Sequence, residues 1–175
     1  LNRFDRATGT FTAYLPDPQL PANTVLDVVE DRRGVLWVAT EHSGLNRFDR
    51  GTGAFTRVRP AGGATIDQVG SVLEDHAGVL WAGTWGGGLV RYDPETGAST
   101  HFVPDAGDPS SLSGRSVNAL YEDRAGVLWV GTSENGLAAV DLQAKGFAHY
   151  RHGLGGPGST ADPNVQALYE DRAGV

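Results

Sequence analysis

The chain has no cysteine, so neither a disulfide framework nor a thiolate metal site can be built. No apolar run approaches the ~18 to 20 residues of a membrane-spanning helix, and the opening residues Leu1, Asn2, Arg3, Phe4 and Asp5 are not a signal peptide. Membrane insertion by this segment is therefore not expected. Basic residues are scarce: 14 Lys and Arg stand against 21 Asp and Glu, for a net charge of −7 and a pI of about 5.1. Only Lys145 is a lysine. A nucleic-acid partner is excluded on the same ground, because that role wants a basic face to neutralise phosphates. Common active-site signatures are missing too, with no Gly-x-Ser-x-Gly and no His-Glu-x-x-His. Gly153, Gly155 and Gly158 have phosphate-loop spacing, but Pro157 interrupts them and no helix pattern follows. Asp105 and Asp108 lack the further oxygen ligands of a calcium loop. His149 and His152 read as exposed or packed histidines, with a metal pair as the alternative. No cofactor and no metal is expected.

What the chain has in abundance is repetition. One phrase, Glu-Asp, two residues, then Gly-Val, occurs four times; in three of them it continues as Leu-Trp, a small pair and Thr. Its Asp residues are Asp31, Asp75, Asp123 and Asp171, separated by 44, 48 and 48 residues. That period is at or just above the length of a four-stranded propeller blade. At this period 175 residues hold fewer than four units, whereas closed propellers have about four to eight. The expectation is a sector of a larger ring.

Each unit reads as four short strands. Residues 25–59, 69–103 and 117–150 make three complete blades, 1–14 supply the last two strands of a preceding blade, and 165–175 begin a truncated one. The chain thus starts and stops inside a blade, and in isolation it is expected to associate or to be marginally stable. Gly9, Gly53 and Gly97 stand where the hairpins need positive φ. The links at 15–24, 60–68, 104–116 and 151–164 are rich in Pro, Gly, Ser and Asp, which favours an exposed path over a packed core. The expected fold class is all-β: a β-propeller fragment of three four-stranded antiparallel blades with partial blades at both ends.

The recurring residues have structural work to do. Asp31, Asp75 and Asp123 can accept from backbone N–H groups of the turns they open, and Gly34, Gly78 and Gly126 supply the left-handed position. Trp37, Trp81 and Trp129 can cover those turns and enter the space between sheets. Burying an indole of ~150 to 250 Å² is worth up to ~4 to 6 kcal/mol, more than any one turn hydrogen bond. A ring of catalytic or metal-binding carboxylates is the other reading of the Asp set; a residue identical in every repeat does what every repeat needs, which is to fold.

The whole pattern, with the best copy at 117–132 and the trailing Gly44, Leu45, Asn46, Arg47, Phe48 and Asp49, resembles the two-component regulator propeller repeat. It departs from that pattern at Ala39, Ala82 and Ala138 to Val140. The resemblance implies a large propeller in the extracytoplasmic sensor region of a bacterial histidine kinase anchored in the inner membrane, glycan-responsive in many relatives. It implies as partners the remaining blades and a small-molecule or oligosaccharide ligand, and it admits a homodimer of the parent sensor.

Strand parity locates the candidate site. The long links and the turns between strands two and three share one face of the ring. There the units differ, carrying Glu41 and His42 in the first, Trp85 in the second, Glu134 and Asn135 in the third, with Arg115 on the adjoining link. An aromatic, carboxylates and an amide suit a polar ligand; loops without function are the plain alternative. The leading reading is a non-enzymatic sensor module. An Asp-box-like propeller hydrolase or lyase acting on glycans is the alternative, and it would need carboxylates converging at catalytic separation.

Overall fold

The computed structural model describes residues 1–14, 24–60, 66–141, 146–150 and 162–171. All regular structure among them is strand. A two-stranded hairpin, β1 (Asn2–Asp5) and β2 (Thr10–Ala13), precedes three sheets. The first sheet has β3 (Val25–Glu30), β4 (Leu36–Thr40), β5 (Gly44–Phe48) and β6 (Phe55–Arg57), paired in chain order. The second has β7 (Val69–Glu74), β8 (Leu80–Thr84), β9 (Gly88–Tyr92) and β10 (Ser99–Phe102). The third has β11 (Val117–Glu122), β12 (Val127–Thr132), β13 (Leu137–Asp141) and β14 (Ala148–Tyr150). Every pairing is antiparallel. The first strands β3, β7 and β11 lie side by side, the arrangement of blades around a propeller axis. The run at 165–170, expected as a first strand, has no strand partner among the described residues; residues 172–175, where its partner would begin, lie outside them.

The Asp-x-x-Gly-x-x-Trp phrase folds the same way three times. In the first blade Asp31 Oδ1 accepts from the N–H of Arg33 and Val35, both at 2.9 Å. Its Oδ2 accepts the Trp37 indole N–H at 2.9 Å. Asp75 with Trp81, and Asp123 with Trp129, repeat this indole bond at 2.8 Å. Gly34, Gly78 and Gly126 have φ of 80°, 84° and 81°, as an αL turn position requires. One carboxylate therefore closes the turn and fixes the indole that covers it. Burial pushes the Asp31 carboxyl up, but hydrogen bonds from Trp37, Val35 and Arg33 outweigh it and leave the acid below its ordinary value. At Asp123 the Trp129 hydrogen bond leads, and the acid is again lowered.

Two apolar cores fill the spaces between blades. Trp37, Ala39 and Leu45 of the first sheet meet Val69, Val72, Leu80, Ala82 and Val90 of the second. Trp81 and Leu89 of the second meet Val117, Leu128, Val130, Ala138 and Val140 of the third. Ile66 and Leu112, in links expected to run exposed, are buried members of these cores. A single aliphatic residue in a polar link gains more between two blades than in water, so composition alone misjudges the path. The small residue before the strand-end Thr is dictated by contact: a Cβ on Gly83 would come within 2.6 Å of Val117, and one on Gly131 within 2.8 Å of Val165.

Polar links cross between blades on the side of the Asp turns. Arg32 donates to the carbonyls of His76 at 2.7 Å and Asp75 at 2.8 Å. Its backbone N–H donates to Glu74 at 2.8 Å. In the next blade His76 takes the same place, with its N–H on Glu122 at 2.8 Å and its imidazole on the same carboxylate. Arg124 repeats the geometry toward Glu170, at 3.6 Å. The Glu of the second, third and fourth Glu-Asp pairs is thus the acceptor for the preceding blade, whereas Glu30 is ion-paired with Arg50 of its own blade.

Candidate functional site

On the opposite side, the turn after each second strand is held to the next blade by its glycine. The N–H groups of Gly44, Gly88 and Gly136 donate to the carbonyls of Asp67, Arg115 and Pro163 at 2.9, 2.7 and 2.7 Å. All three glycines have positive φ. A Cβ on Gly44 would lie 1.7 Å from the Ile66 carbonyl oxygen, and one on Gly88 would lie 2.3 Å from that of Phe102. These contacts place Asp67 beside the first blade's turn and Arg115 beside the second's. Each first strand also slips register at its second residue, at Leu26, Gly70 and Asn118. In the second blade the slipped residue is glycine, and Trp85 occupies the vacated space: a Cβ on Gly70 would meet the indole Nε1 at 2.5 Å. In the third, Ser133 instead approaches Asn118 at 3.2 Å.

The result is a cleft of about 630 Å³ lined by His42, Asp67, Gln68, Thr84, Trp85, Gly86, Gly87, His101 and Arg115. Trp85 is 39% exposed, unlike the three buried or half-buried indoles of the turns. Asp67 is ion-paired with Arg57, and the His101 imidazole meets the Gly87 carbonyl. His42 lies 3.9 Å from Glu41. The Arg115 side chain is exposed and has no hydrogen bond or ion pair among the described residues.

Of the residues expected on this face, the structure brings His42, Trp85 and Arg115 into one cleft. Glu41 stands at its edge through His42. Glu134 and Asn135 are exposed on the third blade's turn and do not line it. Asn135 instead donates its N–H to Thr132 Oγ1 at 3.2 Å. Gln68 and His101 went unnoticed in the sequence. The signal for His101 is its place in a fourth strand whose counterparts are Arg57 and His149, three polar residues directed at this side. His149 contacts the Ser111 carbonyl at 2.7 Å, while His152 lies outside the described residues. Among the described residues no group of three or more His, Asp or Glu is placed to hold a metal ion.

A two-component regulator propeller model matches residues 19–42 and 111–134, the stretches that enter the first and third blades and run through their second strands. Those two stretches match the two-component regulator propeller repeat. The fold is also found by superposition on solved structures. The extracellular domain of the protein named as hybrid two-component system BT4673 from B. thetaiotaomicron matches with a TM-score of 0.80 at 23% identity, over 99% of this chain and 22% of that one. The corresponding domain of BT3049 from B. thetaiotaomicron gives 0.56 at 21%, over 99% and 28%. A virginiamycin B lyase from Staphylococcus aureus gives 0.63 at 17%, over 86% and 47%. The chain therefore spans about a quarter of the extracellular domains it matches. No curated protein matches it in sequence.

Proposed function

We propose that this chain is a sector of an extracytoplasmic propeller that binds a small-molecule or oligosaccharide ligand and passes its bound state to a kinase, without chemistry on the ligand. The observation that carries the reading is the cleft itself. Trp85, His42 and Arg115 converge on the face where otherwise repetitive units differ, and a surface that varies against a fixed scaffold is where binding is built. The regulator repeats support the signalling context, and the extracellular placement of BT4673 and BT3049 supports a periplasmic site on a parent protein anchored in the inner membrane. The remaining blades complete the ring, and a dimer of the parent sensor would relay the state. Against catalysis weighs the lining: among the described residues it holds one carboxylate, Asp67, and that group is ion-paired with Arg57, whereas glycoside chemistry works with two.

The test is a glycan-array screen of the full-length protein beside its Trp85→Ala variant. Saturable binding to a defined set of saccharides, lost in the variant, is the expected result. Binding unaffected by Trp85→Ala would move the site elsewhere and overturn this assignment.

A further inference from the structure

We infer that the cleft takes a ring-bearing anion, which lays a ring face on the Trp85 indole and gives a carboxylate to the Arg115 guanidinium. The inference rests on the sensing reading above and adds the ligand's charge.

Asp67 is occupied by Arg57, and Glu41 lies beside His42. His101 is engaged by the Gly87 carbonyl. Arg115 is left as the lining's one permanently charged group without a partner among the described residues. A neutral ligand filling the cleft would strip water from that guanidinium and return only hydrogen bonds to uncharged oxygens, a poorer exchange. A carboxylate would return two parallel charge-assisted hydrogen bonds.

The backbone that carries each recognition group is held in place before any ligand arrives. The Arg115 carbonyl accepts from Gly88 N–H at 2.7 Å, and the preceding Gly114 is so close-packed that a Cβ there would come within 3.1 Å of Thr132. The Trp85 N–H donates to the Gln68 carbonyl at 3.0 Å, and its indole rests over Gly70. An exposed indole suits the C–H face of a sugar or the face of an aromatic ring equally, since each presents an apolar flat surface. The shared chemistry is a flat ring with a carboxylate, and two sources fit it: a uronate-terminated saccharide and an aromatic acid.

Calorimetric titration of the full-length protein distinguishes them, using a glucuronate-terminated oligosaccharide, its methyl ester, and naphthoate. The inference expects one of the acids to bind, and for the saccharide at least about tenfold tighter binding of acid than of ester. Arg115→Gln should erase that ratio, Arg115→Lys should keep part of it, and Trp85→Ala should weaken acid and ester alike. If naphthoate binds and the saccharide does not, the same losses on Arg115→Gln and Trp85→Ala identify an aromatic acid. Circular dichroism melts of the variants exclude misfolding as the cause. Equal affinity for acid and ester, or an unchanged ratio in Arg115→Gln, would overturn the inference; if the ester's binding still depends on Trp85, the sensing reading stands without it. Binding by none of the three probes would overturn the inference as well.

Discussion

Trp81 and Trp85 are four residues apart, and the fold gives them opposite tasks, so replacing each by Ala should give very different costs. Trp81 is 4% exposed, stacks on Phe102 with ring centroids 5.8 Å apart, and donates its indole N–H to Asp75 at 2.8 Å. Truncation of a buried aromatic costs about 3 to 5 kcal/mol. The Asp75 carboxylate, itself 3% exposed, would keep its bonds to the N–H groups of Ala77 and Val79 at 2.9 Å but lose its third partner. Trp81→Phe separates these contributions. It keeps most of the apolar contact, so the residual loss of about 1 to 3 kcal/mol reports the stranded carboxylate. Combining Trp81→Phe with Asp75→Asn should then cost less than the two changes separately, because they share one bond. Trp85, 39% exposed and without an indole hydrogen bond among the described residues, should cost about 1 kcal/mol or less. Urea titration followed by far-ultraviolet circular dichroism reads all five variants, the Asp75→Asn single change included. Equal destabilisation by Trp81→Ala and Trp85→Ala would refute the division between the core and the cleft.

Other consequences follow from the links between blades. Gly44→Ala should destabilise by more than about 1 kcal/mol, since its Cβ would strike the Ile66 carbonyl; Gly86→Ala, with φ of 91° but nothing within 4 Å, should suffer only the backbone strain, and paired thermal melts compare them. The Glu122 carboxylate raises the His76 imidazole above its ordinary value of 6.5. The His76 link is therefore complete below that value and fades as pH rises through the raised folded value. Thermal melts from about pH 6 to 9 should show a loss in the wild type that His76→Arg removes; parallel profiles would count against the link. Asp31 and Asp123 behave in the opposite sense. Both are lowered from 3.8, so their contribution holds above that value and is lost as pH falls below it. Asp123→Asn should flatten the acid limb of the stability profile.

Much of the scaffold was legible because each repeat states it again. The first strands of all three blades and the whole of β12 and β13 have the expected bounds, and the hairpin glycines Gly9, Gly53 and Gly97 have φ of 70°, 74° and 73°. What escaped is side-chain pairing, within a unit and between units. Trp37 and Asp31 could each be read as structural, but the bond from indole to carboxylate could not, since the spacing of six residues fits many geometries. The acceptor role of Glu74, Glu122 and Glu170 joins residues more than 40 positions apart, a distance at which a local pattern says nothing. It had a trace in the sequence all the same, because the residue after each Asp is Arg32, His76 or Arg124. Ile66 and Leu112 were hidden by polar neighbours. The candidate face was found by strand parity, but which of its residues share a cleft depended on the slip at Gly70 that lets Trp85 lie down. No alternation of apolar and polar residues encodes that.

The central claim is that the cleft binds without transforming what it binds. Its most direct test is to saturate the full-length protein with a bound saccharide, then release the saccharide and determine its mass and quantity, while kinase phosphorylation is followed in parallel. The account predicts that the ligand is recovered unchanged, that phosphorylation responds to it, and that Trp85→Ala abolishes both binding and response. Conversion of the saccharide to product, stopped by Glu41→Gln or Glu134→Gln, would contradict it.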